Sequence, residues 1–283
     1  MNVSPMRTLA VAVAAALALA PALAGATPPP KAGAKKVPAC GAKILPLVEG
    51  NSWTYEPTPA PHAAIQDIAR IAPPRADAVT ITVKTVETKG PDTVVTLEEK
   101  TTYNMPSKDP KKPVTDDRTV TTTITCNAKK FEISPDSFFF AGEPGGAAGV
   151  KFDTIERPKD TSWRLTNGGI GDTDWREDVV AHWTRVATPG SDANLGGGKL
   201  ELERKFTPQP KESITTKTGQ YTTEKIGIAV TGGITLDGAP PDSKRMELPA
   251  GWLDTMWLAD GVGVVQVLNA YGHQYTLVAS AVQ

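Results

Sequence analysis

The chain has 283 residues, a net charge of −1 and a hydrophobic content of 40%. That hydrophobic content is enough to build a buried core, which excludes wholesale disorder. Lys and Arg are not concentrated in any one segment. Since DNA- and RNA-binding proteins gain most of their affinity from a cationic surface, we expect no nucleic-acid partner.

Residues 1–24 have the pattern of an export signal peptide. Arg7 supplies the positive charge, Leu9 to Ala20 is continuously apolar, and Ala22-Leu23-Ala24 has the small-x-small form of a cleavage site. Cleavage after Ala26 fits equally well. The apolar run is too short for a bilayer, and no later stretch approaches the ~20 apolar residues of a transmembrane helix. We therefore predict a periplasmic or extracellular protein with no membrane span in the mature chain.

Residues 25–43 form a Pro-, Ala- and Lys-rich segment, which predicts a flexible lead-in to the folded domain. Within it lies Cys40, which with Cys126 completes the cysteine content of the chain. In an oxidising compartment two cysteines most simply form one disulfide, which would stabilise the fold by at most roughly 4–5 kcal/mol. A thiol nucleophile or a metal ligand is the alternative. Both are disfavoured because neither cysteine has a CxxC partner or a nearby histidine.

From Ala78 onward the hydrophobic period is two residues rather than 3.6. This alternation is typical of antiparallel strands with one buried face and one solvated face. A single helix-like window, residues 62–71, lies between Pro61 and Pro73. The alternating apolar sets are Val79-Ile81-Val83, Val95-Leu97, Leu200-Leu202-Phe206 (interrupted by Arg204), Ile226-Ile228-Val230 and Tyr275-Leu277-Ala279.

Turn residues separate these runs. Gly90-Pro91 and Asp260-Gly261 lie between alternating segments and predict hairpins, because such turns need a positive φ. A further turn over Asn269–His273 predicts a C-terminal meander of three strands. Residues 105–117 and 141–150 are rich in Pro, Lys or Gly and are predicted to be loops.

Three short motifs follow one another along the chain. The opening motif holds Gly50, Trp53 and Tyr55, the central motif holds Gly219 and Tyr221, and the closing motif runs from Trp257 to Val265 and holds Gly261 and Gly263. Together they resemble an uncharacterised family of bacterial secreted and lipoprotein-like proteins, with a G-x-x-W-x-Y opening and a W-x-A-x-G-V-G-V-V ending. The resemblance implies a mainly β fold: a strongly curved antiparallel sheet or incomplete β-barrel with little helix, similar in outline to bacterial lipoprotein carriers. The motif residues are Gly50, Trp53, Tyr55, Gly219, Tyr221, Trp257, Gly261 and Gly263.

The resemblance also implies a single domain over residues 44–283, because the opening and closing motifs would belong to one sheet. This chain departs from the family in lacking a lipid-attachment cysteine and in carrying an insertion around residues 134–192, which puts simple closure of the sheet in question. The family brings no catalytic residues. Independently of it, Trp53 and Tyr55 lie two residues apart, so both face the same side of a strand.

No local pattern predicts a metal, a cofactor or a nucleophile. His62, His182 and His273 are not at ligand spacing, and neither a GxSxG elbow nor a phosphate-binding loop is present. Asp172 and Asp174 have the i, i+2 spacing of a calcium loop, but Arg176 occupies the third acidic position, so a solvated loop is favoured. We therefore expect no cofactor.

Trp163, Trp175 and Trp183 are concentrated in the insertion. Several tryptophans in one region line a binding surface or form a core, and the core is favoured. His273 falls in a predicted turn and is expected to be solvated.

These observations leave three hypotheses. The first is a non-enzymatic envelope or secreted β-sheet protein that binds an apolar small molecule or an envelope protein. The second is a secreted hydrolase with dispersed catalytic residues, which requires a histidine within hydrogen-bond reach of Ser, Asp or Glu in a cleft. The third is a structural or adhesion module with an exposed apolar patch or an unpaired sheet edge. The sequence favours the first and third and does not separate them.

Overall fold

A computed structural model describes residues 43–61, 73–105, 114–127, 130–143, 150–157, 170–185, 196–240, 245–247 and 253–283. The signal peptide, the lead-in up to residue 42, the helix-like window, Cys40, His62 and Trp163 lie outside these residues. The extent of the 44–283 domain therefore stays a prediction. Among the described residues there is no candidate for a membrane-spanning helix.

The described residues form thirteen strands and one short helix, α1 (Phe138–Ala141). The strands are β1 (Ser52–Thr58), β2 (Ala78–Lys89), β3 (Asp92–Met105), β4 (Val114–Cys126), β5 (Phe131–Ile133), β6 (Val150–Glu156), β7 (Trp175–Arg185), β8 (Gly197–Thr216), β9 (Gly219–Leu236), β10 (Met246–Glu247), β11 (Leu253–Ala259), β12 (Gly263–Asn269) and β13 (Gln274–Ala281).

All of these strands belong to one antiparallel sheet. Its order is β5-β4-β3-β2-β1-β13-β12-β11-β9-β8-β7-β6, with β10 paired to β9 beside this path. In the described residues no ladder joins β5 to β6, so the sheet does not close into a barrel. The predicted fold class, a mainly β protein built on a curved antiparallel sheet or incomplete barrel with little helix, is confirmed.

The hydrophobic alternation explains which face is buried in β2, β3, β8 and β9. It does not hold for β13, where residues 274–277 are all buried and Ala279 is exposed, nor for β11 and β12, which are buried on both faces. Val79, Ile81 and Val83 of β2 are buried, as are Val95 and Leu97 of β3, while their neighbours are more exposed. The hairpin turns lie where the sequence predicts them, with Lys89 opposite Asp92 across Gly90-Pro91. β11, β12 and β13 form the predicted C-terminal meander.

One sequence expectation about the loops is revised. The predicted loop over residues 105–117 is shorter than expected, because Val114–Asp117 pair with Tyr103 and its neighbours as the start of β4. The described residues between 134 and 192 include α1, β6 and β7, and β7 and β6 follow β8 as the last two strands of the sheet. That this segment is an insertion stays a prediction.

The sheet curves around α1, whose side chains contact strands far apart in the sheet order. The ring of Phe138 lies 5.0 Å from that of Tyr55 in β1, and the guanidinium of Arg204 in β8 lies 3.7 Å from the ring of Phe140. At the two edges, Arg157 follows β6 and donates to the carbonyl of Ile133 in β5 over 2.8 Å. A flat sheet could not bring these strands to one short helix, so the buried face is concave.

Candidate functional site

The opening and closing motifs meet on the concave face. Trp53 Nε1 donates to the carbonyl oxygen of Val262 (2.6 Å), and the Tyr55 hydroxyl donates to that of Val264 (2.9 Å). Both aromatic side chains are fully buried, as expected for residues two apart on one strand. Their polar atoms are thus used to fix the β11–β12 hairpin against β1.

Gly263 is where the two motifs approach most closely. Its φ is +103°, and a Cβ there would lie 3.0 Å from Trp53 Nε1 and 3.3 Å from a methyl of Leu45. A larger residue would meet both the strained backbone and the indole. Gly50 and Gly261, with φ of 91° and 72°, lie in turns.

The central motif contacts the opposite face of the sheet. A second apolar cluster is formed there by Ile214, Trp257, Ala259, Val265 and Leu268, and Tyr221 packs against it. Trp257 Nε1 donates to Glu212 (3.0 Å), whose pKa this bond and Lys225 hold below its usual range. The turn end of the β8–β9 hairpin, where Ile214 and Tyr221 lie, therefore packs on β11 and β12.

The described cysteine, Cys126, is fully buried at the end of β4. Because Cys40 lies outside the described residues, the disulfide stays a prediction.

The chemically densest cluster joins the end of α1 to the β12–β13 turn. Glu143 Oε1 accepts from Asn269 Nδ2 (2.8 Å) and lies at hydrogen-bond distance from His273 Nδ1, and Tyr275 donates to Glu143 Oε2 (3.3 Å). The His273 side chain is only 15% exposed. The expectation of a solvated histidine is therefore wrong, because residues 142–143 pack over the turn.

Asn269 organises this cluster. Its Nδ2 also donates to the carbonyl of Gly142, and its Oδ1 accepts from the backbone N–H groups of Tyr271 and His273, each over 3.0 Å. One side chain thus holds the turn and the α1 segment together. Burial, reinforced by the charge of Glu143, raises the pKa values of Tyr271, Tyr275 and Tyr103, the last to about 12.

A second buried carboxylate, Glu99 of β3, holds the beginning of α1. It accepts from Thr122 Oγ1 (2.8 Å), Ser137 Oγ (2.7 Å) and the backbone N–H of Phe138 (2.9 Å). Complete burial raises the pKa of Glu99 to about 7, against the opposing effect of these hydrogen bonds. Glu99 occupies an inward position in the alternation of β3, where the sequence shows a charge in place of an apolar residue.

A third buried charged group lies on the other side of α1. Glu177 is fully buried, accepts from Arg157 Nε (3.0 Å), and lies 3.5 Å from Arg204 Nη1. Burial lowers the pKa of Arg204 to about 10, although Glu177 opposes the shift. The Arg204 guanidinium also stacks on Phe140 and Phe206. Arg204, which interrupts the apolar set of β8, therefore packs against the α1 residue Phe140.

The remaining candidates from the sequence are dispersed. His182 is exposed on β7 between Asp153 (3.5 Å) and Asp237 (3.1 Å). Trp175 and Trp183 belong to the main core. Asp174 pairs with Lys205 (2.8 Å), and the described residues contain no cluster of three or more potential metal ligands.

Sequence reasoning missed Glu99, Glu143, Glu177 and Asn269. The available signal was a charged residue at an inward position of an alternating strand, which identifies Glu99 and Arg204 but not their partners.

An open groove of about 320 Å³ lies on the outer face of β7–β9. Its lining includes Glu201, Glu203 and Arg245.

No protein-family model and no curated protein match the sequence. Among solved structures the chain is similar to a candidate exported protein with a YmcC-like fold from Bacteroides fragilis, at 14% identity and a TM-score of 0.43. It is also similar to a candidate lipoprotein from Parabacteroides distasonis, at 14% identity and a TM-score of 0.41. Each match covers 85% of this chain and 99% of the other.

Proposed function

We propose that this chain is an exported, non-enzymatic β-sheet protein that binds a protein partner in the cell envelope. The observation that supports the protein partner over an apolar small molecule is the filling of the concave face by the chain itself. Phe138, Phe139 and Phe140 are all buried there. A small apolar ligand would have to compete with side chains that are already covalently tethered at that surface.

The packing of these phenylalanines is extensive. Phe138 lies against Tyr55 (5.0 Å between ring centroids) and Tyr275 (5.6 Å), and Phe139 lies edge-on to Trp53 (5.8 Å). Glu99 holds the segment at its beginning and Glu143 at its end. Because apolar burial and both carboxylates favour the same position of α1, the outer face and the sheet edges are the surfaces left for recognition.

The two described histidines support a non-enzymatic function. His273 does lie at hydrogen-bond distance from a carboxylate, as the hydrolase hypothesis requires, but Asn269 and Tyr275 also donate to Glu143. Among the described residues, no Ser, Thr or Cys side chain hydrogen-bonds to His182 or His273. A histidine–carboxylate pair without a neighbouring nucleophile is better suited to fixing the turn than to acyl transfer.

A structural or adhesion module is the second candidate, and a specific observation favours it. In the described residues β5 covers only Ile124–Cys126 of β4, and no strand pairs with that side of Val114–Thr122. A long uncovered edge can add a strand from another chain.

Native mass spectrometry of the protein purified from its own host tests the proposal. We expect the mature chain together with a protein companion and without bound lipid. A stoichiometric lipid would favour the apolar-ligand hypothesis and overturn the proposal. Hydrolysis of an ester panel by the wild type that is abolished in His273→Gln, with folding retained by circular dichroism, would overturn the non-enzymatic assignment.

The same preparation tests export and the disulfide. The mass of the mature chain should correspond to cleavage after Ala24 or Ala26. Thiol titration of the denatured, unreduced protein should detect no free thiol, because Cys40 and Cys126 are proposed to be bonded. Two titratable thiols, or a retained N-terminus in the periplasmic or secreted fraction, would contradict these assignments.

A further inference from the structure

The edge of β4 that no described strand covers carries a sequence that is complementary to itself. Residues 114–120 read Val-Thr-Asp-Asp-Arg-Thr-Val. Around Asp117 the order is symmetric, with Val114 matched to Val120, Thr115 to Thr119, and Asp116 to the oppositely charged Arg118. Antiparallel pairing of two such strands about a two-fold axis through Asp117 would place each matched pair directly opposite.

The backbone of β4 fits this register. Ser134 N donates to the carbonyl of Thr123, so the backbone N–H and C=O of Thr123 point away from β3, toward the side of β4 on which β5 lies. Because these groups alternate along a strand, those of Thr115, Asp117 and Thr119 point to the same side. In the two-fold register these three residues pair only with one another, which gives six interchain backbone hydrogen bonds.

The side chains fit as well. Val114 is 50% exposed, and it would pack against Val120 of the second copy. Arg118 already donates to Asp116 of its own chain over 2.7 Å, with both side chains about two-fifths exposed. Pairing would join two such ion pairs into a network of four alternating charges. Asp117 would face Asp117 of the second copy. In each chain, however, Lys100 lies 2.8 Å from the Asp117 carboxylate, and its positive charge offsets the repulsion between the two carboxylates.

We propose that β4 is a homodimerisation edge that pairs with β4 of a second copy of this chain, centred on Asp117. Charged residues on a sheet edge ordinarily prevent pairing with foreign strands. Here the order of charges along β4 disfavours pairing with most other strands and favours antiparallel pairing with a second β4. The proposal is independent of the proposed function, because it concerns a second copy and not an envelope partner.

The interface is small, and ordering two edges is costly, so we expect a weak dimer with a dissociation constant on the order of 100 µM. Sedimentation equilibrium of the mature protein from ~10 µM to ~1 mM measures it. Hydrogen exchange at the same concentrations should show slower exchange of the Thr115, Asp117 and Thr119 amides as the concentration rises. Protein that remains monomeric at ~1 mM would refute the proposal.

Charge exchange between the two positions gives a specific test. Asp116→Arg and Arg118→Asp each place like charges opposite one another in the homodimer, so each variant should dimerise at least tenfold more weakly than the wild type. Mixing the two variants should restore dimerisation, because arginines at 116 and 118 of one chain then face aspartates of the other. The double variant Asp116→Arg/Arg118→Asp should dimerise by itself.

The mixture separates an effect on pairing from an effect on folding. Each variant chain has the same substitution in the separate sample and in the mixture, so a folding defect would persist on mixing, whereas lost pairing would be restored. Unaltered circular dichroism and unfolding midpoints for both variants complete the control. Single variants that dimerise as well as the wild type would place the interface elsewhere. Single variants that stay monomeric even when mixed would overturn the Asp116–Arg118 register.

Discussion

Glu99 should make the stability of this protein fall as the pH rises from about 4.5 to about 7. The carboxyl group is fully buried, and burial raises its pKa in the folded state from 4.5 to about 7. The folded protein therefore binds this proton more tightly than the unfolded chain does. The resulting stabilisation is complete below about pH 4.5 and is lost as the pH rises through about 7.

The magnitude follows from the two pKa values. One pKa unit corresponds to about 1.4 kcal/mol, so the change between the two limits is roughly 3 kcal/mol in the free energy of unfolding. Glu99→Gln resembles the protonated form and removes this dependence. The stability of the variant relative to the wild type should therefore rise by roughly 3 kcal/mol between pH 4.5 and pH 8, whatever constant offset the substitution introduces.

Urea unfolding at pH 4.5, 5.5, 6.5 and 8, at constant ionic strength and with the disulfide intact, measures this difference. Glu98→Gln is the matched control, because it removes the neighbouring carboxylate from the exposed face of β3, where Glu98 pairs with Lys84. Its difference from the wild type should stay within about 0.5 kcal/mol. Curves for Glu99→Gln and the wild type that remain parallel from pH 4.5 to pH 8 would refute the reasoning.

Three further substitutions test the packing around α1 and the motifs. Phe139→Ala removes a fully buried ring from the concave face. It should lower the free energy of unfolding, measured by urea titration, by about 3–5 kcal/mol. A loss below about 1 kcal/mol would show that α1 does not fill that face. Asn269→Ala leaves buried groups of the turn without partners and should cost about 2–4 kcal/mol, whereas a neutral effect in the same assay would mean that the turn holds without it. Gly263→Ala should lower the thermal midpoint more than Gly90→Ala does, because a Cβ at 263 meets Trp53 while one at 90 meets nothing within 4 Å; equal shifts would contradict the close approach.

The buried charges around α1 have a common structural consequence. Glu99, Glu143 and Glu177 each lie beside a different part of the α1 segment or the side chains that contact it. Removing one partner from such a group leaves a buried polar or charged group without compensation, which is destabilising. We infer that these groups fix the position of α1 on a face that apolar packing alone would hold less specifically.

The sequence by itself determined most of the strands. Alternation along β2, β3, β8 and β9 is a property of neighbouring residues, so it is visible without any knowledge of their partners. The hairpin turn at Gly90 is equally local, because a positive φ is required by the turn itself. Trp53 and Tyr55 could likewise be assigned to one face, because residues two apart on a strand point to the same side.

Only the tertiary structure decided what fills the concave face and which charges meet there. Ser137 lies 38 residues from Glu99, and Asn269 lies 126 residues from Glu143. Nothing in the local pattern around either carboxylate specifies those partners. Curvature of the whole sheet brings them together, and curvature arises from strand pairing and packing summed over the chain. An inward charge such as Arg204 could therefore be recognised in the sequence, but its role under Phe140 could not.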